Sequence, residues 1–169
     1  NTKEVRSRFE NFEEFISAHF FQGKKIDIVA KLDIYKKNKQ NDETELINIY
    51  IDGESKDLYE LGDGIQALII LMYKIFMCED NSLIFIDEPE INLHPGMQRL
   101  FLEQITINEL LKKKNLTYFI STHSNHFLDL TIEKDNISVF LFNKDLEDGK
   151  PKFIVKNVND GDNSPLQYL

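Results

Sequence analysis

Phe9, Phe12, Phe15, Ile16 and Phe20 recur at helical spacing, which predicts an amphipathic helix over 3–20. The period then shortens to two. Ile26, Ile28, Ala30, Leu32 and Ile34 alternate with mostly polar neighbours, the pattern of a half-buried strand over 26–35. Ile47, Ile49 and Ile51 repeat it over 45–51, and the polar stretch 36–44 suits a long hairpin loop. Gly62-Asp63-Gly64 marks a tight turn. Beyond it, 65–77 is almost wholly apolar apart from Gln66 and Lys74, and it lacks Gly and Pro, so a buried helix is expected. Leu83-Ile84-Phe85-Ile86 is a short apolar run of the kind found in strands buried on both faces.

Pro95 then opens a helix at a favoured first-turn position. Met97, Leu100, Phe101, Ile105, Leu110 and Leu111 give it an apolar stripe, and 112–115 end it. Thr117-Tyr118-Phe119-Ile120 is a second buried strand. Strand, helix, strand implies a parallel pair joined by a right-handed crossover. A short helix over 125–130 follows, then a closing hairpin of 137–142 and 152–158 around Asp148-Gly149. Residues 159–165 read as loop or linker, and no internal repeat or low-complexity segment interrupts the chain.

A length of 169 residues suits one ordinary domain with a real core. The formal charge of -9 argues against a surface that coats nucleic acid indiscriminately, which needs dense Lys and Arg. Lys36-Lys37-Asn38-Lys39 and Lys112-Lys113-Lys114 are local basic clusters, read more simply as a hairpin tip and a helix end suited to cations. Cys78 is the one cysteine, so neither an intrachain disulfide nor a cysteine zinc site can form. Its apolar neighbours predict a buried, inert thiol. No secretory signal or membrane-length apolar run is present, so the expected setting is cytoplasmic with no membrane partner. The start at Asn1 and the loop-like end lead us to expect a piece of a longer protein.

The candidate chemistry begins at Asp87-Glu88, where the first apolar strand stops. Ligand chemistry in open parallel sheets gathers at the carboxyl ends of strands. One acid there can hold a magnesium ion and its neighbour can activate a water. Alone, such a pair also describes a solvated strand end. The pattern gains specificity from three elements in order: Leu61-Gly62-Asp63-Gly64-Ile65-Gln66, Leu83-Ile84-Phe85-Ile86-Asp87-Glu88-Pro89, and Ile120-Ser121-Thr122-His123. Together they resemble the second half of an ATP-binding-cassette ATPase, with its signature motif, Walker B segment and switch histidine. Glu90-Ile91-Asn92-Leu93-His94-Pro95 resembles the soluble head-domain branch, kin of SMC and RecF proteins and of the nucleases of the overcoming-lysogenisation family.

The resemblance covers mainly 58–130 and implies an α/β P-loop NTPase fold. We expect a half-domain with a mostly parallel sheet flanked by helices, plus antiparallel hairpins. Residues 1–57 would form a helix and hairpin annex, 58–130 the motif-bearing core, 131–158 a closing hairpin, and 159–169 a linker or the start of a further region. By the same resemblance Asp87 would hold Mg2+, Glu88 would be the general base and His123 would face the γ-phosphate. Gly62, Asp63, Gly64, Ile65 and Gln66 would approach ATP held by a second head domain, most simply in a homodimer. Asp63 stands where Ser is usual and Ile65 where Gly is usual. A carboxylate at Asp63 would repel a phosphate unless turned away, protonated or bridged. Asn92 and His94 match a loop that crosses the dimer interface, with His94 replacing the usual Asp. His94-Pro95 also reads as an ordinary helix start.

No Gly-x-x-x-x-Gly-Lys-[Ser/Thr] occurs in the chain. The phosphate loop is therefore expected from a missing N-terminal half, and these residues alone should bind ATP poorly. The branch implies DNA-related work, with a nuclease effector and anti-phage defence among the expected roles. Two other readings stand beside it. Asp87, Glu88, His94, His123 and His126 would serve a metal-dependent hydrolase. A non-catalytic dimerisation scaffold would keep the fold without turnover.

Overall fold

Phe12 is wholly buried and meets Tyr73 edge-on, with ring centroids 5.3 Å apart, and Phe76 at 5.7 Å. These contacts join the two long helices of the N-terminal part. The computed structural model describes residues 2–32, 45–128, 137–147 and 150–157. The chain divides into two units, 1–84 and 85–169.

In the first unit, α1 (Thr2–Phe20) presents Phe12, Phe15 and Ile16 inward, as its helical spacing predicts. Strands β1 (Ile26–Leu32), β2 (Glu45–Ile51) and β3 (Glu54–Asp57) form an antiparallel sheet in that order. Ile26 pairs with Ile51 and Ile28 with Ile49, so the alternating isoleucines share one face. The sequence reading had no β3; its residues Glu-Ser-Lys-Asp carry no apolar period, and the Asp52-Gly53 turn sets them beside β2. Residues 33–35 of the expected first strand, and the hairpin loop with its lysine cluster, lie outside the described residues.

A 3-10 turn over Leu58–Leu61 leads to α2 (Asp63–Met77). The helix begins two residues earlier than its apolar run, because Asp63 and Gly64 form its first turn. Gly62 precedes it at φ 81° and ψ 149°, a combination open essentially to glycine alone. Leu68, Ile69, Met72 and Ile75 face the core. Arg8 ties α1 to the end of α2, its Nη2 donating to the Met77 carbonyl at 2.7 Å. Cys78 is only half-buried, contrary to expectation. It is the residue that ends α2, where the chain turns outward, and its Sγ lies 3.1 Å from the Lys74 carbonyl.

Strand β4 (Leu83–Asp87) runs across the boundary into the second unit, where it and β5 (Thr117–Ser121) are hydrogen-bonded neighbours. Phe85 stacks on Phe119 and Asp87 meets Ser121, so contacts advance along both strands together and the pair is parallel. Between them run α3 (Pro95–Ile107) and α4 (Glu109–Lys113). The single expected helix breaks at Asn108, whose Oδ1 accepts from the Leu110 N–H at 3.0 Å and caps a new helix. Lys112 and Lys113 stand in its last turn.

Phe101, Leu102, Ile105, Leu111 and Phe127 make the core of this unit. The apolar strands are not buried on both faces. Leu83 and Phe85 are 62% and 73% exposed and Phe119 is 49% exposed, whereas Ile86 on the opposite face of β4 is buried. Alternation places the three on one face, where Phe85 and Phe119 cover each other with centroids 4.8 Å apart and planes 10° from parallel. Strands β6 (Phe140–Glu147) and β7 (Lys150–Asn157) form the closing antiparallel hairpin, shifted toward its tip from the expected 137–142 and 152–158, with residues 137–139 outside the strand. Its tip, Asp148-Gly149, lies outside the described residues, as do 129–136 and 158–169.

Candidate active site

Asp87, the last residue of β4, and Ser121, the last of β5, lie side by side because the strands are parallel and end together. The Ser121 hydroxyl donates to Asp87 Oδ1. One residue on, the Glu88 N–H donates to the Ser121 carbonyl at 2.9 Å and closes the ladder. Glu88 itself adopts φ 44°, in the left-handed region. That region is uncommon for a residue other than Gly, Asn or Asp. Its Oε1 lies 3.4 Å from His123 Nε2.

The segment after Glu88 is a pair of tight turns. The Ile91 N–H donates to the Glu88 carbonyl at 3.1 Å, and the Leu93 N–H to the Glu90 carbonyl at 2.9 Å. Asn92 is left-handed at φ 68°, a conformation asparagine tolerates. Leu93 is buried, which anchors the turn in the core. His94 is the residue before α3, and its Nδ1 accepts from the Gly96 N–H at 3.2 Å. That is the job of a helix cap. Buried Gln98 donates from Nε2 to the Leu93 carbonyl at 2.7 Å, and its Oε1 accepts from the Ser124 hydroxyl at 2.6 Å. One side chain thereby holds both the turn after β4 and the turn after β5.

Glu90 reaches across the strand ends. Its Oε1 accepts the His123 backbone N–H at 2.6 Å, and its Oε2 is buried with no hydrogen-bond partner among the described residues. Burial pulls the Glu90 carboxyl upward. The N–H groups of His123 and of Glu90 itself, with the nearby Thr122 hydroxyl and the His123 ring, outweigh it and hold the carboxyl below its ordinary range.

The second unit thus gathers Asp87, Glu88 and His123, with Asn92 and His94 in the adjoining turn. Gly62, Asp63, Gly64, Ile65 and Gln66 form the start of α2 in the first unit. There exposed Asp63 occupies a first-turn position that suits an acid for the helix's own sake. Sequence reasoning missed the contacts of Glu90 and Gln98, and gave Ser121 no role beyond its place in the motif. Polarity was the signal for Gln98: it interrupts the apolar stripe of α3, and buried polar groups in such places have partners. Among the described residues no three His, Cys, Asp or Glu side chains converge to hold a metal, so the histidine-rich hydrolase site finds no support in the geometry. Magnesium makes a smaller demand, since it takes one or two carboxylates and fills its shell from phosphate and water. Exposed Asp87, with one oxygen engaged by Ser121, fits that demand.

The chain is 33% identical over 113 residues to the OLD nuclease of Thermus scotoductus, covering 65% of this chain and 20% of that protein. It is 44% identical over 61 residues to endonuclease GajA of Bacillus cereus, covering 32% of this chain and 9% of that one. It therefore spans a fifth or less of the length of these two curated relatives. A solved SMC head, bound to the C-winged helix domain of ScpA, superposes with a TM-score of 0.56 over 93% of this chain and 44% of its own. At 14% identity that likeness speaks for the fold alone, an α/β P-loop NTPase fold. Residues 2–128 match the AAA ATPase domain family, to which this chain belongs.

Proposed function

We propose that the complete protein hydrolyses ATP, with Glu88 as general base and His123 as the residue that senses and positions the γ-phosphate. The 3.4 Å approach of Glu88 Oε1 to His123 Nε2 carries this reading. A base must hold the attacking water beside the transferred phosphoryl group, and a cationic or donor side chain beside that base completes the arrangement. Glu88 is partly sheltered and keeps an oxygen within reach of a water, while the 90% exposed His123 ring is free to meet a ligand. Asp87 would hold magnesium, which when bound neutralises charge on phosphate oxygens. Ser121 fixes the Asp87 carboxylate for that task.

In this reading the start of α2 contributes to ATP bound by a second head, and Asp63 turns its carboxylate aside or shares a cation. The phosphate loop comes from another stretch of the complete protein. Asn92 and His94 lie on the turn that would meet the second head. The likeness to a nuclease and an endonuclease supports a DNA-directed effector and a defence role, with ATP turnover as the driver. The test is Glu88→Gln in the complete polypeptide. Turnover should fall by about a hundred- to ten-thousandfold while ATP binding persists, because a general base contributes on that order. Turnover at the parental rate would remove Glu88 from the mechanism.

A further inference from the structure

His123 is gripped at two points by acids from a single turn. Glu88 Oε1 meets its ring nitrogen at 3.4 Å, and Glu90 Oε1 accepts its backbone N–H at 2.6 Å. The ring itself is 90% exposed, so packing does not orient it. The backbone sets the direction of its Cα–Cβ bond, and so which rotamers bring the ring to Glu88. The backbone of His123 follows the last residues of β5, and Glu90 is the acceptor that fixes it.

We infer that Glu90 is a positioning residue for the proposed ATPase reaction: its carboxylate, through the His123 N–H, holds the turn after β5 so that the imidazole faces Glu88. The inference rests on the roles proposed for Glu88 and His123. Three observations support it. The Glu90 carboxylate stays ionised through its N–H donors, and a charged acceptor makes a stronger bond than a neutral one. The Glu90 carbonyl accepts the Leu93 N–H, so the residue is fixed at its backbone as well as at its side chain. Leu93 is in turn buried and bound by Gln98. The hold on His123 therefore runs to the core of the unit and not to solvent.

The experiment uses the full-length chain, labelled with nitrogen-15 at histidine, with the His123 amide identified by its disappearance in His123→Asn. In the parental protein a short bond to a carboxylate should place that amide proton downfield. Glu90→Ala should move it upfield and leave the His19 and His94 amides in place. The same variant should lower kcat for ATP by about ten- to a hundredfold, with KM for ATP within about threefold, since the loss falls on a group that acts in the transition state. Glu90→Gln keeps an acceptor oxygen and should restore most of kcat. In a His123→Ala background, Glu90→Ala should cost less than about threefold more, because the two act as one unit.

An unmoved His123 amide, an unchanged kcat, or full additivity with His123→Ala would each overturn the inference. If Glu90→Ala fails to fold, Glu90→Gln decides: a kcat loss equal to that of His123→Ala with the His123 amide unmoved would overturn the inference, and a near-parental kcat would support it. Parental turnover by Glu88→Gln would defeat the ATPase reading instead. The amide shift would still judge whether Glu90 holds His123.

Discussion

Glu88 Oε1 stands 3.4 Å from His123 Nε2, across the ends of two adjacent parallel strands. Neither side chain owes this approach to a buried pocket. Glu88 is delivered by a left-handed backbone step, and His123 by a turn whose N–H is bound to Glu90. The pair is a product of strand register and turn geometry, and disturbing either should separate its members.

Asn92 provides the first such disturbance. At φ 68° it occupies a conformation that glycine adopts freely and a β-branched residue resists. Asn92→Gly should leave the unfolding free energy from chemical denaturation within about 1 kcal/mol of the parent. Asn92→Val should cost about 1–3 kcal/mol through backbone strain. Equal stability of the two variants would mean that the turn relaxes to another conformation.

Gln98 provides a second. Gln98→Leu fills the same space but leaves the Leu93 carbonyl and the Ser124 hydroxyl without the partner each now has. An unsatisfied buried polar group costs about 1–3 kcal/mol, so urea denaturation should show a loss of that size. Gln98→Glu should be as harmful or worse at neutral pH, because a carboxylate cannot donate to the Leu93 carbonyl. A variant as stable as the parent would show that the two turns find other anchors.

The outline of this fold was legible because its signals are local and periodic. Helix α1, strand β2 and the β4–α3–β5 unit follow from apolar spacing, Pro95 and two short apolar runs. The break at Asn108 was not legible, since the apolar stripe of Leu110 and Leu111 continues through it and only the side-chain cap shows the change of direction. Nor was β3, whose polar sequence is set in a strand by its pairing with β2. At the site, Asp87 and Glu88 stood out as paired acids at a strand end, and His123 only through the resemblance carried by the three ordered motifs. Glu90 did not, because its role lies in a contact to a backbone N–H 33 residues away, which no local pattern records.

Glu13 makes a prediction about pH in the first unit. Burial raises its carboxyl above the usual 4.5, assisted by Asp27 and Glu10 and opposed by the Ile28 N–H and Lys25. Its Oε1 accepts that N–H at 2.5 Å. An acid with a raised folded pKa contributes stability that is fully present below its unfolded value and is lost as pH rises through the folded value. Glu13→Gln keeps an acceptor for Ile28 and removes the charge. The variant should therefore match or exceed the parent in melting temperature at neutral pH, and the gap should close as pH falls toward 4.5. A variant that melts lower at neutral pH would show that the ionised form is net favourable there.

Ser121 links the second unit's geometry to the metal that Asp87 is proposed to hold. Its hydroxyl donates to Asp87 Oδ1, which fixes the carboxylate plane and leaves its charge for a cation. Partners of this kind, one step removed from a metal, typically change metal affinity or activity by about ten- to a hundredfold when deleted. Ser121→Ala in the complete polypeptide should raise the magnesium concentration needed for half-maximal ATP turnover by about tenfold. Saturating magnesium should then recover most of the rate, because the base and the histidine are untouched. Ser121→Thr keeps the hydroxyl and should restore the parental requirement. Asp87→Asn, by contrast, removes charge from the ligand itself and should not be rescued by added magnesium. A Ser121→Ala variant with an unchanged magnesium requirement and a lowered maximal rate would place Ser121 with the turn that carries His123, and would free Asp87 from any dependence on it.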